Sequence, residues 1–79
     1  MGAMRNSVVM RHAGPDEADT VRRLARLESS RPLDGNVVLA FVDEVPVAAV
    51  SLQDGRMLAD PFARSSRVTG MLRAYAAAA

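Results

Sequence analysis

Apolar positions along the chain fall into blocks whose spacing switches between strand-like and helix-like. SVVMRH, residues 7–12, reads as a short strand. Gly14-Pro15-Asp16-Glu17 then predicts a helix start: proline suits the first helical position, and acids complement the positive end of the helix dipole. Ala18, Val21, Leu24, Ala25 and Leu27 or Glu28 recur at helical spacing, which turns Arg22, Arg23 and Arg26 towards water. Ser29-Ser30-Arg31-Pro32 ends that helix, and LDGN over 33–36 is turn chemistry. NVVLAFV (36–42) and VPVAAVSL (45–52) are strands joined through Asp43-Glu44 as a hairpin. Both are apolar on both faces, the pattern of strands covered on two sides. Pro46 fits only near a strand's start, where it withholds no ladder bond. Asp54-Gly55 marks a second tight turn, and Arg56–Asp60 a third, shorter strand of the meander. Ser65 is the expected N-cap of a last helix, with Val68, Met71, Leu72 and Tyr75 as its apolar stripe.

The predicted fold is therefore α+β, a small antiparallel sheet in the order β-α-β-β-β-α. Residues 7–77 form a single domain. Residues 1–6, opening with MGAM, read as a disordered cloning remnant and are set apart from it. At 79 residues the chain has a thin stability margin, but 49% apolar residues suffice for a packed core. Cysteine is absent, which excludes a disulfide framework and a thiolate zinc site and fits a reducing compartment, so a cytoplasmic location is expected. Net charge is +1 with both signs scattered, so no basic stripe predicts nucleic-acid binding. No apolar run reaches the roughly 20 residues of a membrane span. All 10 basic residues are arginine, and alanine and valine abound, which reads as GC-rich coding of bacterial origin.

MRHAGPDEADTVRRLARLES resembles the first strand and helix of the GNAT acetyltransferases, whose openings run apolar-Arg-x-Ala/Thr-x-x-Asp; Met10, Arg11, Ala13 and Asp16 (or Asp19) stand in those places. NVVLAFVDEVPVAAVSLQDG resembles the family's second and third strands with their hairpin. The resemblance covers residues 8 to about 59. It implies a fourth strand leading to a glycine-bearing loop at a helix N-terminus, where backbone N–H groups hold the pyrophosphate of acetyl-CoA. This chain has DPFARSSRVTG there: no glycine in the loop, Pro61 without an N–H, Asp60 with a repelling charge, and Gly70 too late to help. The family's later strands and the helix bearing its usual acid have no counterpart. The resemblance thus implies a truncated GNAT-like fold, the N-terminal half without its acetyl-CoA loop.

Candidate chemistry is sparse. His12, the single histidine, falls at a strand end without a partner carboxylate in view, so neither a catalytic nor a metal role is expected. Asp16, Glu17 and Asp19 read as dipole complements, Asp54 and Gly55 as turn residues, and Asp60 before Pro61 as a strand terminator. Arg64, Ser65, Ser66 and Arg67 form a candidate anion site beside a helix N-terminus, against a plainer reading as a serine cap with solvated arginines. Tyr75 belongs to the core on this reading. No catalytic residue, cofactor or metal is assigned. The expected function is a non-catalytic interaction module that forms a homodimer through the last strand and last helix, or binds another protein of unknown identity. Met57, Leu58, Met71 and Tyr75 are its candidate interface, and Leu72 is read as core. Two alternatives stand beside it: a split or vestigial acyltransferase that binds acyl-CoA only with a partner chain, and an anion- or nucleotide-responsive regulator using Arg64 and Arg67.

Overall fold

The computed structural model describes residues 7–63 and 66–78. Four strands, β1 (Val8–His12), β2 (Val37–Val42), β3 (Val45–Ser51) and β4 (Met57–Ala59), form one antiparallel sheet in the order β1-β2-β3-β4. A 3-10 turn (Pro15–Glu17) leads into α1 (Ala18–Leu27) between β1 and β2, and α2 (Ser66–Ala78) follows β4. The α+β class and the β-α-β-β-β-α order are as the apolar pattern predicts. The expected N-cap, Ser65, lies outside the described residues, as does Arg64.

Strand alternation explains where the helices go. Leu39 and Ala49 point to one face, where Val21, Leu24 and Ala25 of α1 pack on them together with Leu33, Val37 and Leu58. Val38, Ala40, Ala48 and Val50 point to the other, where Val68 and Leu72 of α2 complete a second cluster. The helices take opposite faces, so the two central strands are buried on both sides, as runs without polar alternation require. Coverage is unequal. Helix α1 lies over β3 and β4, while α2 lies over β3 and β2. Strand β1 is left at the thinly covered end of the sheet.

Local signals set the joints. Asp43 and Glu44 both have positive φ (50° and 71°), the mark of a two-residue primed hairpin turn whose twist matches its strands. Helix α1 ends in a Schellman motif: Ser30 N–H donates to the Ala25 carbonyl (2.8 Å) and Ser29 N–H to that of Arg26 (3.1 Å), with Ser29 itself at φ 54°. The β2–β3 register slips between Ala40 and Phe41, whose partners are Ala48 and Pro46, so Val47 is an extra residue. That bulge lets Val47 and Ala48 both join the α2-side cluster and keeps Pro46 near the strand's start.

Candidate functional site

The β4–α2 junction is where a phosphate-bearing cofactor would be held in the resembled family. Among the described residues of the loop before α2, the backbone N–H groups of Asp60, Phe62 and Ala63 are engaged within the chain. Asp60 N–H donates to the Val47 carbonyl (2.8 Å), and Ala63 N–H to the Asp60 carbonyl (3.1 Å). Phe62 N–H donates to the Asp60 carboxylate (2.8 Å), and Pro61 has no N–H. The Asp60 carboxylate thus takes up one donor of this loop and brings negative charge to it. Of the candidate cluster Arg64, Ser65, Ser66 and Arg67, the described members Ser66 and Arg67 are exposed at the first turn of α2.

The best-defined polar constellation lies at the opposite corner of the sheet. Arg11 points from β1 to the α1 face and makes a bidentate pair with Glu17 (2.7 and 2.6 Å). Its guanidinium stands 4.7 Å from the centroid of the Phe41 ring, a cation–π contact. Glu17 also accepts the Gly14 N–H (2.8 Å), tying the turn before α1 to the strand. These donors, Arg11 first and then the Gly14 amide, hold the Glu17 carboxyl below the usual glutamate range, and the bond to Glu17 in turn pushes the Arg11 guanidinium up. Glu17 is thus an anchor for a guanidinium rather than only the dipole complement expected of it. The signal for this was the spacing from Gly14 to Glu17, a capping-box offset; Arg11 became its partner only through the course of the chain.

Other charged groups are likewise structural. Asp54 accepts the Arg56 N–H (2.9 Å), which holds its carboxyl low, and the Arg56 guanidinium donates to the carbonyls of Arg31 and Pro32 (2.6 and 2.7 Å). Arg22 pairs with Asp19 on the outer face of α1. His12 is exposed at the end of β1, beside a shallow groove of about 330 Å³ that it lines with Leu52, Tyr75 and Ala78. A larger cleft, about 460 Å³, runs between the Gly14-Pro15 turn and the 32–35 loop, with Arg22 and Asp34 as its exposed charged groups. Among the described residues, no three His, Cys, Asp or Glu side chains converge as metal ligands, and no helix is long and apolar enough to cross a membrane.

The four candidate interface residues are divided by the fold. Leu58 points under α1 and is buried in that cluster, so its side chain is not offered to a partner. Met57 is half-buried against the α2 side. Met71 and Tyr75 flank the buried Val68–Leu72 row and stay 38% and 37% exposed, which corrects the reading of Tyr75 as core. Leu72 is fully buried, as expected. Val9, Val45 and Phe62 are further exposed apolar groups that the apolar pattern did not single out as surface. No protein-family model, curated protein or solved structure matches this chain.

Proposed function

We propose that this chain is a self-associating interaction module on a GNAT-like sheet, and not a working acetyltransferase. The observation that carries it is a sheet whose edges, β1 and β4, are both open among the described residues, with Val9, Phe62, Met71 and Tyr75 exposed around it. The β4–α2 junction supports the non-catalytic part, because the N–H groups of Asp60, Phe62 and Ala63 are bonded internally and the Asp60 charge opposes a phosphate. The GNAT-like relationship rests on the resembling motifs and on the β-α-β-β-β-α order. Sedimentation velocity across a concentration series, with acetyl-CoA calorimetry alongside, tests the proposal. Association at high micromolar concentration and no acetyl-CoA binding tighter than about 100 μM, roughly 5.5 kcal/mol, is the expected result. A single 8.4 kDa species at all concentrations would defeat the module reading. Tight acetyl-CoA binding would favour the split acyltransferase.

A further inference from the structure

The two edges, open among the described residues, are not equivalent. Asp43 N–H donates to the Ser7 carbonyl (2.9 Å) and Ala13 N–H to the Val37 carbonyl (2.8 Å), so the odd-numbered residues of β1 direct their backbone groups at β2. By antiparallel alternation, the N–H and C=O groups of Val8, Met10 and His12 point to the open side. At the other edge, Ser51 N–H donates to the Arg56 carbonyl and Asp60 N–H to the Val47 carbonyl, which leaves only Met57 and Ala59 facing outward. That edge is three residues long and ends at Asp60-Pro61. Strand β1 is five residues long, without proline or bulge, and its one charged side chain, Arg11, is tied to Glu17 on the α1 face.

We infer that the self-association proposed above runs through β1, with a second copy of this chain adding its own β1 antiparallel about a two-fold axis at Met10. The outward groups repeat at 8, 10 and 12, so they are symmetric about residue 10. A two-fold there pairs Met10 with the partner's Met10, and Val8 with the partner's His12. Each outward N–H then meets an outward C=O, for roughly six new ladder bonds across the joined sheet. Side chains agree with this register. Val8 and His12 share the α2 face, so the partner's Val8 comes beside the groove of His12, Leu52, Tyr75 and Ala78. That gives the exposed Tyr75 an apolar neighbour. On the α1 face, Val9 (48% exposed) comes opposite the partner's Arg11. An interface of five paired residues and their flanks is small against the roughly 1,200–2,000 Å² of stable complexes, so the dimer is weak and transient.

The test uses the whole chain in sedimentation equilibrium, with circular dichroism as the control for folding. Met10→Pro removes the outward N–H at the dyad without taking a bond from β2, a place where an edge strand tolerates proline. Val9→Lys alters an exposed side chain and sets a cation opposite the partner's Arg11. Both are expected to stay folded and to weaken association at least about tenfold, while Met71→Glu on α2 leaves it unchanged. Should Met10→Pro unfold the chain, Val9→Lys alone decides. If the wild-type chain associates, but both β1 variants associate equally well or Met71→Glu weakens it as much, the β1 assignment is overturned and self-association stands. If the wild-type chain stays monomeric, both fall.

Discussion

Leu72→Ala probes how α2 is held to the sheet. The helix meets it through a row at four-residue spacing: Val68 and Leu72, both buried, and the partly buried Ala76. Leu72 is the one large side chain of that row, fully buried against a cluster that includes Ala40, Ala48 and Val50. Truncation to alanine at such a site costs about 2–5 kcal/mol, the spread reflecting how far neighbours close the gap. Here two of the neighbours are alanines with no side chain to swing inward, so a loss of about 3 kcal/mol or more is expected. A 79-residue domain has roughly 4–12 kcal/mol in total. The change therefore removes a quarter to most of the stability and lowers Tm by about 12–24 °C. Urea unfolding followed by far-UV circular dichroism measures it, with Leu72→Glu expected to prevent folding. A loss below about 1 kcal/mol for Leu72→Ala, or a folded Leu72→Glu protein, would refute the burial of this face by α2.

Three further outcomes follow from single positions. Gly70 lies inside α2 with open space where a Cβ would stand, so Gly70→Ala should stabilise by about 0.5–1 kcal/mol in the same urea assay. Ser29 holds φ 54° at the end of α1, where glycine carries no penalty, so Ser29→Gly should also gain about 1 kcal/mol by thermal melt. The Glu17 carboxyl is held low in the folded chain by Arg11 and the Gly14 amide, so on acidification the unfolded chain takes up the proton first. Its stabilisation is complete above the ordinary glutamate pKa and is lost as pH falls through the lowered one; Glu17→Gln should flatten that acid limb in melts run from neutral to low pH.

The main elements were legible because their signals are local and agree. Val37–Val42 and Val47–Val50 are apolar without alternation, which demanded cover on both faces, and the helices do lie on opposite faces. Asp43-Glu44 between two apolar runs could only be a tight turn. What escaped depends on distance along the chain. Tyr75 sits on the same apolar stripe as Leu72, but the helix settles on its Val68–Leu72–Ala76 row, because small Ala40 and Ala48 below let that row approach closely. Leu58 belongs to a strand of three residues, too short for alternation to say which face it takes. The bulge at Val47 leaves no trace in composition. The pairing of Arg11 with Glu17 depends on the turn at Gly14-Pro15 folding back over β1, and the open groups of β1 depend on pairing register; neither is a property of any one segment.

The connectivity of β1 bears on how the chain folds. Strands β2 and β3 are joined by two residues already in hairpin geometry, so their ladder closes locally and early. Strand β1 pairs with β2 only after the segment from Ala13 to Asn36, with the whole of α1, has closed as a loop. Contacts made so late in the sequence of events have little weight in the transition state, so substitutions in β1 should speed unfolding far more than they slow folding. In native-state hydrogen exchange the amides of Val9 and Arg11 should open at a lower free energy than those of Val38 and Val50, which bond each other across β2 and β3, and β1 would be the first strand to peel from the sheet.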